Sequence, residues 1–284
     1  MSTVQQRNSL RFYQGSIQEY EKVTAEGHQK YTSSFYMQKG AYNILNMLLC
    51  PGMNSEYARI VQEKKKLPLM ILQQTEEIIH IYEDIFTVMC EERKQRTVRQ
   101  YVYRIDRMQT MEMLKAGYTF GFTSCSLNKE SGIEDAQLRK KNGLLLLELE
   151  VPTEIPYILL NEVLGSNKYA YQNELLIPPF AAFRIIGELP FTKKELEYCD
   201  ANREHPKAKY QLEIIGMDMG EGGQDQKNIL EKEDINFAIS VLTRIGTGLD
   251  ISMEEKERYC EWKSKLQRGI RERFRKIYQE RKGN

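Results

Sequence analysis

An arginine, two serines, a glutamine and a glutamate lie in three short stretches whose spacing lets their side chains act together. In YQNELLIPPF, residues 171–180, Glu174 follows Gln172 by two positions at the start of an apolar run, and alternate residues of a strand share a face. In GFTSCS the same spacing turns the Ser124 and Ser126 hydroxyls to one side of an extended segment. YVYRIDR carries Arg104, whose planar guanidinium can make paired hydrogen bonds to a phosphate. Such a set can anchor a phosphate, orient hydroxyl groups and stabilise developing positive charge with a carboxylate. Each residue alone has a blander reading: an ion-pairing arginine, a serine pair capping backbone at a turn, a glutamate at a solvated strand end.

These side chains need strands to hold them. From about residue 100 the chain turns to short β-type runs: YVYRI, TFGFTSCSL, GLLLLELEVP, NELLIPPF, AAFRIIGEL and YQLEIIGMDM. Loops or single short helices separate them, which predicts an α+β chain built on a two-sheet β sandwich, since the regular helices of a parallel Rossmann sheet are missing. No glycine-rich phosphate loop follows any run, so a nucleotide site cannot rest on a dinucleotide fingerprint. The polar, glycine-rich GEGGQDQKN, residues 220–228, closes the β region.

Helices flank the strands. Over residues 31–92 apolar positions recur at spacings of three and four, as at Ile71, Thr75, Ile78, Tyr82, Ile85 and Met89. The Cys50-Pro51-Gly52 break and Pro68 divide this stretch into separate helices. It reads as a helical bundle packed on the next domain, or as a partner-binding or delivery module. Near the other end Ser252 and Glu255 form a capping-box pattern, followed by the stripe Tyr259, Trp262, Leu266, Ile270, Phe274 and Ile277. Residues 253–284 hold eleven Lys and Arg against six Glu, a basic face that is either solvated or able to meet RNA, an acidic protein or a membrane surface. The expected organisation is a helical segment over 1–97, the β sandwich over 98–229 and basic C-terminal helices over 230–284.

Composition narrows the functions. In 284 residues, 41 Lys and Arg face 40 Asp and Glu, so no whole-chain field favours nucleic acid or membrane. Cys50, Cys90, Cys125, Cys199 and Cys260 lack the spacing of a zinc site or disulfide framework and read as free thiols of a reducing compartment. His28, His80 and His205 are isolated, so no metal is expected. No apolar run approaches a membrane span, and MSTVQQRNSLRFY lacks a signal-peptide core. The expected location is the cytoplasm, or outside the cell through a specialised export system that cleaves no signal.

Taken in order, YVYRIDR, GFTSCS, a hydrophobic run ending in Val-Pro, and YQNELLIPPF resemble the Arg-Ser-Glu branch of the mono-ADP-ribosyltransferases over about residues 100–220. The resemblance implies NAD as substrate, held in the central cleft of the sandwich, with Arg104 on its diphosphate. Ser124 and Ser126 would orient the nicotinamide ribose and the glutamate. Glu174 would take the ribose 2′-hydroxyl and stabilise an oxocarbenium-like state, as at a glycosidic bond. The resemblance also assigns Asn128 to the nicotinamide end and Arg139 or Lys140 to a phosphate. In GSNKYAYQNE, Tyr169 or Tyr171 would touch a target protein, unless either packs on the sandwich.

Two departures matter. The family's Ser-Thr-Ser is Ser124-Cys125-Ser126, a mild change because the middle side chain points to the other face. Gln172 stands where arginine-modifying members carry a second glutamate, and an amide cannot take a proton in its place. In this the chain resembles the clostridial Rho-modifying exoenzymes, which target asparagine, so a non-arginine acceptor is expected. The implied reaction moves ADP-ribose from NAD to a protein. An NAD glycohydrolase using the same site, a catalytically silent interaction module, and nucleic-acid binding through the basic helix are the alternatives.

Overall fold

The computed structural model describes residues 2–14, 45–46, 48–51, 75–94, 97–107, 111–130, 144–165, 173–200, 208–220, 231–246 and 248–282. In chain order their elements are α1 (Val4–Gln14), α2 (Thr75–Arg93), β1 (Gln100–Arg107), α3 (Met111–Ala116), β2 (Thr123–Ser126), β3 (Leu144–Val151), β4 (Ile158–Leu159), α4 (Leu160–Leu164), β5 (Glu174–Ile177), β6 (Ala181–Glu188), α5 (Lys193–Asp200), β7 (Ala208–Met217), α6 (Lys232–Gly246) and α7 (Met253–Lys282). They fall into two compact units, one of residues Met1–Val88 with Met219–Asn284 and one of residues Met89–Asp218.

The first unit is helical. α7 starts at the expected capping box: the Glu255 N–H donates to Ser252 Oγ at 3.1 Å and the Ser252 N–H to Glu255 Oε2 at 2.7 Å, satisfying donors that a helix start otherwise leaves open. Its stripe of Tyr259, Trp262, Leu266, Ile270 and Phe274 is buried, as spacings of three and four require for one face of a helix. Phe274 stacks on Phe86 of α2 with ring centroids 4.1 Å apart, and Arg273 pairs with Glu83 at 2.6 Å. Tyr82, on the buried side of α2, donates its hydroxyl to Leu45 O at 2.6 Å. No described helix is long and apolar enough to cross a membrane.

The second unit is a seven-stranded mixed sheet in the order β4-β5-β2-β1-β3-β7-β6. β3 and β7 run parallel, and the other pairs are antiparallel. In β3, Leu145, Leu147, Leu149 and Val151 are buried at alternate positions while Glu148 and Glu150 lie between them, so one face of the sheet is apolar and the other carries charge. Val102, Leu175, Ile177 and Leu212 extend the apolar face at the matching phase of their strands.

Each of the six β-type runs contains a strand, and β4 is an addition. The registers form one continuous ladder where two packed sheets were expected. The junction is narrow: β1 pairs with β3 along its whole length but meets β2 through the single pair Tyr103↔Ser126. Whether neighbouring ladders join depends on such a pair, and residue periodicity carries no sign of it. Tyr118, just before β2, also bridges Ala182 at the start of β6, the strand at the far end of the order. Asn173 at φ 43° and Phe180 at φ 64° bracket β5, turning the chain sharply at both of its ends.

Candidate functional site

The residues singled out by type and spacing converge on three neighbouring strands, β5, β2 and β1. Ser126 is the direct antiparallel partner of Glu174, and Ser124 of Leu176, so the two serines and the glutamate share one face. The register continues as a row across the sheet from Glu174 to Ser126, Tyr103, Glu148 and Gln211, with neighbours about 4.5–5.5 Å apart at Cα. Glu174 is buried, 9% exposed, at the first position of its strand. Asn173 precedes it in a left-handed conformation, and its carbonyl accepts the Leu127 N–H at 3.1 Å.

Arg104 lies one position from Tyr103 and so at the opposite phase of the pleat. Its Nη1 donates to the Ser124 main-chain oxygen at 2.6 Å, close to where the β1–β2 ladder gives out. Serine and glutamate are thus brought together on one face, while Arg104, at the other phase, is tied to the serine strand through the Ser124 backbone. Ser126 performs the capping role named as its blander reading: its hydroxyl donates to Asn128 O at 2.7 Å and accepts the Asn128 N–H at 3.0 Å. Asn128 Oδ1 in turn accepts the Glu130 N–H at 2.9 Å, a local bond that engages the side chain assigned to the nicotinamide end. Gln172, Tyr169, Tyr171, Arg139 and Lys140 lie outside the described residues.

Sequence reasoning passed over a charged cluster on the same face. Lys129 Nζ donates to Glu148 Oε1 at 2.6 Å and to Glu195 Oε1 at 2.8 Å, and it sits 4.8 Å from the centroid of the Tyr103 ring. Lys209 meets the same carboxylates, Glu148 at 3.0 Å and Glu195 at 3.0 and 3.2 Å. Two cations and two anions thus compensate one another where Lys209 and Glu195 are buried. Burial pushes the Glu195 carboxyl up, but hydrogen bonds from Lys129, the Thr192 N–H and Lys209 outweigh it and hold the group at about 2. Glu148 is likewise lowered by both lysines against burial, and Lys129 is raised by both carboxylates against burial. Two signals in the sequence point to this cluster. Thr192 and Glu195 have capping-box spacing and bond reciprocally at the start of α5, and Glu148 breaks the apolar run of β3.

Among the described residues no group of three or more His, Cys, Asp or Glu is placed to hold a metal ion. No family model matches the chain, and no curated protein matches it. A solved structure with some likeness is that of Exoenzyme S from Pseudomonas aeruginosa, in complex with human 14-3-3 protein beta and bound to Carba-NAD. It is 12% identical, with a TM-score of 0.35 over 78% of this chain and 97% of that chain. At that level the likeness assigns neither family nor activity.

Proposed function

We propose that this chain is a mono-ADP-ribosyltransferase, with NAD as substrate and a protein as acceptor. The observation that carries the reading is the pairing of Ser126 directly opposite Glu174 on neighbouring strands, with the Arg104 strand next to them. In this reading the bond between the nicotinamide nitrogen and ribose C1′ breaks, nicotinamide leaves with the electron pair, and an acceptor side chain bonds to C1′ and loses a proton. Glu174 supplies the negative charge that stabilises the positive ribose as the bond opens. Ser126, its cross-strand partner, accepts from a ribose hydroxyl beside the carboxylate, and Arg104 takes the diphosphate. The narrow β1–β2 junction and the Tyr118–Ala182 bridge support a sheet that folds over on itself, the curvature a two-layer sandwich with a central cleft needs. Gln172, two before Glu174, favours an acceptor other than arginine, because it cannot deprotonate a guanidinium.

The test is incubation with NAD labelled in its adenylate part and a cell lysate, following both nicotinamide release and protein labelling. Glu174→Gln should lower both by about a hundredfold or more while NAD still binds. Near-normal turnover in that variant would remove Glu174 from the chemistry. Nicotinamide release without protein labelling would identify water as the acceptor.

A further inference from the structure

The strand pairing and the charged cluster meet at Lys129. Its ammonium touches Glu148, Glu195 and the Tyr103 ring. Tyr103 is the register partner of Ser126 on one side and of Glu148 on the other. Along the chain, Lys129 directly follows the turn in which the Ser126 hydroxyl both donates to and accepts from the Asn128 backbone. The next residue, Glu130, pairs with Lys194 of α5, so two consecutive side chains pin the end of this turn to one helix. A hydroxyl fixed by two bonds to a turn is only as well placed as the turn. Here the turn is held by contacts between residues distant in sequence.

We propose that Lys129 is a positioning residue for the Ser126–Glu174 pair: by gripping Glu148, Glu195 and the Tyr103 ring it fixes the turn that aims the Ser126 hydroxyl. The proposal rests on the transferase reading for its consequence, the rate, but not for the contact itself. Lys129 acts through Ser126, with its own charge engaged by two carboxylates. Its removal therefore lowers turnover more than it weakens NAD binding, since misplacing a positioned group costs rate at the transition state. Lys209 also meets both carboxylates, so each keeps a cationic partner in a Lys129 variant, which is expected to fold.

The experiment compares wild type, Lys129→Met and Lys129→Arg by amide hydrogen exchange and by the kinetics of nicotinamide release. Lys129→Met should speed exchange of the Asn128 amide by about tenfold relative to the amides of Leu147 and Leu175 in the sheet core. It should lower kcat by about tenfold with KM for NAD within about threefold. Lys129→Arg, which keeps the charge, the paired donors and the contact with the aromatic ring, should restore both readouts to within about threefold of wild type. A purely structural role would instead raise exchange throughout the unit and lower the amount of active protein without a selective change at Asn128. Unchanged Asn128 exchange in Lys129→Met would overturn the proposal, as would an Arg variant no better than the Met variant. A wild-type protein that releases no nicotinamide would overturn the transferase reading alone, and the Asn128 exchange would still decide whether Lys129 holds the turn.

Discussion

Two regions bury lysines in opposite ways. In the sheet unit Lys129 and Lys209 share Glu148 and Glu195, two positive and two negative charges among the described residues. In the helical unit Lys263 is 1% exposed on α7, and burial, against smaller raising effects of the Cys50 and Cys260 thiols, brings its ammonium down to about 8. The same side chain type is thus held charged in one place and pushed toward neutrality in the other. Burial sets a penalty in both places, and in the sheet unit the shared carboxylates outweigh it.

Breaking the compensated cluster has the largest expected effect. Glu195→Ala leaves two lysines sharing one carboxylate and should destabilise the protein by about 3 kcal/mol, read as a lower urea midpoint at neutral pH. The acid limb sharpens the point. Glu195 is held at about 2 in the fold, below the roughly 4.3 of an unfolded chain. Its contribution is therefore present above about pH 5 and is lost as pH falls toward 2; Glu195→Ala should remove that part of the acid dependence. A variant as stable as wild type across this range would show that the cluster is energetically neutral.

Lys263→Met has the next largest effect and the opposite sign. The fall from 10.5 to about 8 corresponds to roughly 3 kcal/mol, unfavourable to folding in full below about pH 8. Lys263→Met should raise Tm at pH 7. The wild type alone should gain stability between about pH 8 and 10.5, because the folded form gives up its proton first. A lower Tm in the variant would mean that the contacts of this side chain outweigh the cost of burying it. The smallest effect belongs to Arg99→Ala. Arg99 meets Glu150 at 2.5 Å, but its side chain is 64% exposed, so the melting temperature should barely shift. A larger loss would set aside exposure as the variable that separates these sites.

What the sequence made legible follows locality. The capping box at Ser252 and the stripe from Tyr259 to Ile277 are written in residues three and four apart; the box forms and the stripe is buried as far as Phe274, with Ile277 half-buried. The strands carrying Arg104, Ser124 and Glu174 were readable from β-type runs, and the face shared by Ser124 and Ser126 from spacing alone. That Glu174 stands opposite Ser126 was not readable, because register is set between strands and a shift of one residue exchanges the faces. The cluster of Lys129, Glu148, Glu195 and Lys209 was hidden for a related reason. Its members come from four separate segments, and the parallel β3–β7 pairing brings Leu146 beside Lys209. Parallel pairing needs a long crossover, so the short patterns at Glu148 and Thr192–Glu195 do not report that these four residues meet.

The division into two units has a consequence for the order in which the molecule can be made. The sheet unit is one unbroken stretch, Met89–Asp218, whereas the helical unit takes residues from both sides of it. On a ribosome the sheet can complete its pairings as soon as β7 emerges, because every strand it needs has already been synthesised. Phe86 must wait until Phe274 follows, long after, to find the ring it stacks on. Until then the apolar side of α2 has no α7 to cover it, and the nascent chain carries a finished sheet beside an unfinished helical pack.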